Sequence, residues 1–260
     1  MKSATEIHGK IDDFLRDWKA REGHKPLIVK GARQIGKTFS INEFAKANYA
    51  STVSVNFILQ SEYRGIFDDG YDVDSILKNI SFINPELLFE SGKTLIFFDE
   101  IQSCPKVATS LKSFCLDGRF DVICSGLLMG INYAEIESTA VGYKEDKEMF
   151  SLDFEEFLWA KGYTESQIEG IYNRMRSVEP LTSTEFSVLS DAFKDYMVVG
   201  GMPEVVDSYV QNGNFSGTLA IQRQLLLDYE EDITKYAEGP DKGKILTFLL
   251  RRFLLERKPA

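Results

Sequence analysis

Hydrophobic positions along this chain change period in a regular alternation. Ile7, Ile11, Phe14, Leu15 and Trp18 recur at helical spacing, which predicts an amphipathic helix over residues 7–20. The short apolar run Pro26–Lys30 then reads as a buried strand, and Phe39–Lys46 as a helix. Val53–Ile58 alternates as a second strand, Val73–Ile80 reads as a short helix, and Thr94–Phe98 is an unbroken apolar run. Such a run suits a central parallel strand buried on both faces. Pro105 opens a helix carried by Val107, Leu111, Phe114 and Cys115. Phe120–Gly126 is a fourth strand, and Lys147–Leu152 a short fifth. Strands alternating with helices predict a mostly parallel sheet whose ligands lie outside the carboxyl ends of its strands.

After Leu152 the strand pattern stops. Phe154–Trp159 and residues 165–177, 184–198 and 216–236 all read as helices, with Gly200-Gly201-Met202-Pro203 as a break and Pro203 starting a new helix. No repeat or low-complexity linker interrupts the chain.

Between the first strand and its helix lies Gly31-Ala32-Arg33-Gln34-Ile35-Gly36-Lys37-Thr38, a full match to G-x-x-x-x-G-K-[ST]. With Gly near ~7% of residues, four matched positions arise by chance in about one chain of this length in a hundred. Strand, loop and helix in that order are the context a phosphate-binding loop requires. Gly31 and Gly36 let the backbone curl so that successive amides face one anion, and the helix N-terminus adds partial positive charge. Ala32, Arg33, Gln34, Ile35 and Phe39 complete the expected nucleotide-binding stretch. Lys37 is expected on the β- and γ-phosphates, and the Thr38 hydroxyl on Mg²⁺.

A metal-bound nucleotide also needs a carboxylate at a buried strand tip. The run Thr94–Phe98 leads straight into Asp99 and Glu100. Asp99 is the expected Mg²⁺ ligand, and Glu100, with Lys37, the expected catalytic residue, Glu100 polarising the attacking water as general base. Ser125, near the tip of the fourth strand, is expected to touch the γ-phosphate or orient that water, although a hydroxyl there also suits a plain turn.

Composition removes several alternatives. The chain has 260 residues, 43% of them hydrophobic and 12% aromatic, enough for a packed core. A net charge of −10 argues against a dominant surface for nucleic acid or anionic lipid. Cys104, Cys115 and Cys124 lack metal-ligand spacing and suit thiols in a reducing compartment. His8 and His24, the only histidines, are too few for a zinc site and read as solvated residues. The polar start Met1–Glu6 and the absence of a membrane-length apolar run predict a cytoplasmic protein.

The ordered series GARQIGKT, FFDEIQ, SGLLMG, FEEFL, GGMPEVV and DITKYA closely resembles the bacterial and archaeal ATP-binding proteins of the AAA superfamily that carry a C-terminal domain of unknown function. The resemblance spans about residues 10–240. It implies an α/β fold: an AAA-type P-loop NTPase sheet, order 5-1-4-3-2, flanked by helices and followed by a mainly helical region. It also implies ATP with Mg²⁺ as the ligand pair. The family's Walker A falls on Gly31–Thr38, its Walker B on Asp99 and Glu100, and its strand-tip sensor on Ser125-Gly126-Leu127.

Three departures stand out. Leu127 occupies a position where these proteins usually have serine. Gly142-Tyr143-Lys144 stands where many have Gly-Arg, a candidate arginine finger; Tyr143 cannot replace it, and Lys144 only partly. The stretch Leu246–Lys258 does not resemble the family's continuation, so a truncated or frame-shifted product is expected, a short terminal amphipathic helix being the alternative.

The domains expected are therefore a P-loop core over residues 1–152, a helical lid-like region over 153–200 and the start of a truncated helical C-terminal domain over 201–260. An ATPase that drives or gates an unknown partner process is the leading expectation. A slow or non-hydrolysing nucleotide-gated binding module is the alternative, favoured by Leu127 and Tyr143. A homo-oligomer and an unidentified protein partner are expected, because AAA-type cores often complete their sites with a neighbour's arginine. Nucleic acid is not supported by these residues, and no membrane contact is expected.

Overall fold

The computed structural model describes residues 8–127 and 141–236, with side chains as far as residue 231. Ile7, the Leu128–Gly130 part of SGLLMG and the stretch Leu246–Lys258 lie outside the described residues.

A five-stranded parallel sheet organises the first part. Its strands are β1 (Leu27–Gly31), β2 (Ser51–Asn56), β3 (Thr94–Asp99), β4 (Asp121–Leu127) and β5 (Glu145–Glu148), in spatial order β2-β3-β4-β1-β5. This is the order 5-1-4-3-2 that the family resemblance implies. Helices α1 (Lys10–Ala20), α2 (Lys37–Asn48), α3 (Val73–Ile83) and α4 (Lys106–Asp117) cover it.

Strand periodicity divides the core between two faces. Leu27, Val29, Leu95, Phe97 and Ile123 pack with Leu15 and Trp18 of α1 and Ile41 and Phe44 of α2. Ile28, Ile96, Phe98, Val122 and Cys124 point the other way, onto Ile76 and Ile80 of α3 and Leu111 and Phe114 of α4. All six residues of β3 are buried, so an apolar run without alternation is the correct signature there.

Beyond the sheet come α5 (Phe154–Ala160), α6 (Glu165–Arg176), α7 (Ser183–Val199), α8 (Pro203–Asn212) and α9 (Thr218–Tyr236). Three open on capping boxes, Asp153 with Glu156, Thr164 with Gln167 and Thr182 with Glu185. Phe157, Val199, Val205, Val206, Tyr209 and Leu225 form a separate apolar core. This helical unit meets the sheet where Leu152 N–H donates to the Gly201 carbonyl at 2.8 Å and the Tyr196 hydroxyl donates to the Leu152 carbonyl at 2.9 Å.

Three expectations need correction. Strand β5 runs over Glu145–Glu148, two residues earlier than the apolar pattern suggests. It is an edge strand whose charged residues pair with β1; the Met149 N–H still donates to the Lys30 carbonyl at 2.7 Å and its side chain packs with the α1–α2 face of the sheet, while Leu152 packs in the helical core. Strand β2 starts and ends two residues early, because Phe57 and Ile58 enter a turn. A 3₁₀ helix over Ser61–Phe67 carries no clear sequence period. His24 is not simply solvated: its Nε2 lies 2.9 Å from Asp121 Oδ1, and its ring meets Trp18 edge-on.

Candidate functional site

The loop between β1 and α2 curls through two left-handed residues, Gln34 at φ 61° and Gly36 at φ 93°. Only glycine takes the second without strain. At Gly31 the limit is space, since a Cβ there would run into the Met149 carbonyl oxygen and the Ile35 side chain. The loop therefore leaves β1 pressed against the segment that follows β5. Ile35 anchors its floor, buried in the core beneath α2.

Lys37 opens α2 and is 8% exposed. Its ammonium donates to the carbonyls of Gly31 at 3.0 Å and Ala32 at 2.5 Å, so it lies along the inside of its own loop. Burial pushes its pKa below the ordinary lysine value; Glu100 and Asp99 pull the other way, and Arg33 adds to the lowering. Two nearby carboxylates and one amine thus form a charge cluster at the loop mouth.

Asp99 ends β3 and is 3% exposed. Its Oδ2 accepts from Thr38 Oγ1 at 3.1 Å and from Asn56 Nδ2 at 2.9 Å. Its Oδ1 accepts from the Glu100 N–H at 3.1 Å and from the Ser125 hydroxyl. Four donors satisfy the buried carboxylate and aim it at the loop. Thr38, Asp99, Ser125 and Lys37, scattered through the sequence, converge at the carboxyl ends of three adjacent strands.

Ser125 sits one residue deeper in its strand than the sequence suggests. Strand β4 continues through Leu127, which pairs with Gly31, so Ser125 lies two residues below the tip and is fully buried. Its hydroxyl donates to Asp99 Oδ1, so it supports the carboxylate that faces the loop.

Glu100 follows Asp99 in a left-handed conformation, φ 58°, which turns its side chain out of the strand direction. Gln102 Nε2 donates to Glu100 Oε2, while Gln102 Oε1 accepts from the Leu127 N–H at 3.3 Å. Gln102 therefore ties the candidate base to the tip of β4.

Asn56 and Gln102 are site residues that sequence reasoning missed. A polar residue ending β2, one strand away from Asp99, was a signal for Asn56, but its register opposite Asp99 becomes visible only in the sheet. Asn56 also orders its own turn, its Oδ1 accepting from the Ile58 and Leu59 N–H groups at 3.0 Å each.

Tyr143 and Lys144 lie elsewhere. They precede Glu145, which pairs with Leu27 at the start of β1, whereas the loop leaves the end of β1. Lys144 is paired with Asp146, and the Tyr143 ring lies 5.0 Å from the Lys112 ammonium. Neither faces the phosphate loop of its own chain.

Beside the loop is a cavity of about 560 Å³. Ile35 and Phe39 form one wall, with Met149, Leu152 and Pro203 opposite. Mostly apolar walls close to a phosphate-type loop suit a flat ring system attached to the phosphates.

A metal and a nucleotide can be tested against this geometry. The Thr38 hydroxyl and the Asp99 carboxylate meet at 3.1 Å at the mouth of the loop. Oxygen donors of this kind match Mg²⁺. Among the described residues there is no cluster of three or more His, Cys, Asp or Glu able to hold a metal by themselves. Ligands from phosphate would therefore complete the shell, as Mg²⁺ generally prefers. No described helix is long and apolar enough to cross a membrane.

No curated protein matches the chain. Among solved structures, AMPPCP-bound DnaA from Aquifex aeolicus is 12% identical with a TM-score of 0.40, over 86% of this chain and 65% of that one. PCH-2 of C. elegans is 12% identical with a TM-score of 0.36, over 67% of this chain and 49% of that one. The Aeropyrum pernix ORC1 protein in complex with DNA is 13% identical with a TM-score of 0.36, over 57% and 45%. The chain thus spans about half to two-thirds of their lengths, and likenesses this distant assign no residue roles. The sequence itself is more specific: residues 190–252 match a domain of unknown function. Residues 23–158, more than half of the sequence and the whole described sheet with its phosphate-type loop, match the AAA domain, and the chain belongs to that family.

Proposed function

We propose that the chain is a Mg²⁺-dependent ATPase whose nucleotide cycle drives or gates a partner process. The observation that supports this is the 3.1 Å hydrogen bond from Thr38 to Asp99, two oxygen groups of the kind Mg²⁺ favours at the mouth of a curled glycine loop. Loop amides and Lys37 would bind the phosphates, with Lys37 exchanging its two loop carbonyls for phosphate oxygens. Thr38 and Asp99 would hold Mg²⁺, which supplies charge neutralisation across the β- and γ-phosphates. Asn56 and Ser125 would keep Asp99 oriented. Glu100 would accept a proton from the attacking water, once its carboxylate turns away from Gln102. The cavity beside Phe39 would take the base; adenine rather than guanine follows the family.

A second reading has its own support. Gln102 holds the Glu100 carboxylate, and Tyr143 and Lys144 lie at the far end of the sheet. Both favour slow turnover, as in a nucleotide-gated binding module. A second copy of the chain could bring its Tyr143–Lys144 face to this loop, which is why a homo-oligomer belongs to the proposal. A cytoplasmic location is part of the same reading.

Steady-state ATP hydrolysis by the purified chain, beside a Glu100→Gln variant, separates the two. Turnover that depends on Glu100 supports the ATPase. MgATP binding without turnover supports the gated module, and absence of MgATP binding overturns both.

A further inference from the structure

The outer edge of the phosphate loop is gripped from the other end of the chain. Helix α9 passes over Arg33 and Gln34, the two residues at the apex. The Tyr229 hydroxyl donates to the Arg33 carbonyl at 2.7 Å. One residue earlier, Asp228 Oδ2 accepts from Gln34 Nε2 at 2.7 Å, while Oδ1 accepts from Gln224 Nε2 at 2.8 Å, a turn back along the helix. These bonds span 194 and 196 residues of sequence. The two amide donors hold the Asp228 carboxyl below the usual carboxylate range.

Two features make the grip more than surface contact. Gln34 is in the left-handed region, φ 61°, which a residue with a Cβ occupies only when its surroundings impose it. Helix α9 is itself fixed to the helical core: Leu225 is buried there, and Gln222 Nε2 donates to the Val198 and Val199 carbonyls at 2.9 and 3.1 Å. The helix is thus a firm support that reaches a strained loop. It takes a carbonyl and a side-chain amide of the apex, leaving the loop's backbone amides to a ligand.

We propose that Asp228 and Tyr229 are positioning residues of the nucleotide site, holding Arg33 and Gln34 in the conformation that phosphates require and coupling nucleotide occupancy to α9. The inference rests on the reading that the loop binds MgATP. By linkage, a helix that favours the phosphate-binding conformation must itself be stabilised by bound phosphate.

The test is a double-mutant cycle on the full chain, with MgAMPPNP affinity measured by calorimetry. Asp228→Ala and Gln34→Ala should each weaken binding by about threefold to tenfold, the worth of one hydrogen bond. The double variant should be no weaker than the worse single. Asp228→Asn should stay near the parent, because its amide oxygen still accepts from Gln34. Tyr229→Phe, which keeps the ring, should lose affinity by a similar factor. Amide hydrogen exchange over residues 218–231 should slow on MgAMPPNP binding in the parent, and much less in Asp228→Ala. Losses that multiply in the double variant, or exchange in α9 that ignores the nucleotide, overturn the coupling while the binding reading stands. A parent that does not bind MgAMPPNP overturns both.

Discussion

The Thr38 hydroxyl donates to the Asp99 carboxylate at 3.1 Å across 61 residues of sequence, joining the end of the glycine loop to the tip of β3. Asn56, Ser125 and the Glu100 amide supply the remaining donors to Asp99 and fix its orientation. Preorganisation of this kind separates ligand binding from chemistry, which fixes different expected phenotypes for adjacent acids.

Asp99→Ala should abolish most of the benefit that Mg²⁺ gives to ATP affinity, while Glu100→Gln should bind MgATP as the parent does and lose turnover. Calorimetry with and without Mg²⁺, paired with a phosphate-release assay, reads both. If Glu100→Gln hydrolyses at the parent rate, the water is activated by another group.

Asn56 is expected to matter for stability as well as for the metal. Asn56→Ala removes a donor from a buried carboxylate and the acceptor for two turn amides, and an unsatisfied buried polar group costs about 1–3 kcal/mol. Asn56→Asp keeps the turn acceptor but sets a like charge beside Asp99, so its stability should recover as pH falls and one carboxylate protonates. Chemical denaturation across pH measures both. An Asn56→Ala chain as stable as the parent would mean that water replaces the amide without cost.

Much of this architecture was legible because it is written locally. The loop needs glycines at fixed spacing, and β3 is apolar throughout because both its faces are covered. Strand β5 was misplaced because Glu145–Glu148 has no apolar signal; its strand character comes from pairing with β1. The hydrophobic run of β4 fades at Ser125-Gly126, whereas its ladder with β1 continues one residue further, to Leu127. Asn56, Gln102 and the Asp228–Gln34 contact were invisible for one reason: each depends on register or packing between segments distant in sequence.

Leu127 and Tyr143, two of the departures from the family pattern, should behave differently. Leu127 pairs with Gly31 at the mouth of the loop, whereas Tyr143 precedes the residue paired with Leu27 at the opposite end. Leu127→Ser should raise turnover, by up to about 10²-fold if the new hydroxyl reaches the transferring group. Tyr143→Arg should leave turnover per chain unchanged in dilute solution. Rates measured over a range of protein concentration distinguish the two, and a faster Tyr143→Arg chain at high dilution would contradict the placement.

The last expectation follows from the state of Lys37. Burial lowers its pKa below the ordinary 10.5, against the pull of Glu100 and Asp99 and with a further push from Arg33. Phosphate oxygens replacing the Gly31 and Ala32 carbonyls would stabilise the ammonium, so the bound chain should keep this proton to higher pH than the free one. Binding therefore takes up a proton between the two values. Affinity for MgATP should be flat below the free-state pKa and fall as pH rises through that window. For folding the sign is opposite: the unfolded chain holds this proton more tightly, so the cost of the buried ammonium is fully present below the folded value. It is relieved as pH rises toward the ordinary one. Lys37→Arg, charged throughout, should show a flat affinity profile over the same range, and Lys37→Ala should bind at least about tenfold more weakly, about 1.4 kcal/mol. Calorimetry in buffers of different ionisation enthalpy counts the proton directly. Equal pH slopes for the parent and Lys37→Arg would show that the titrating group is not Lys37.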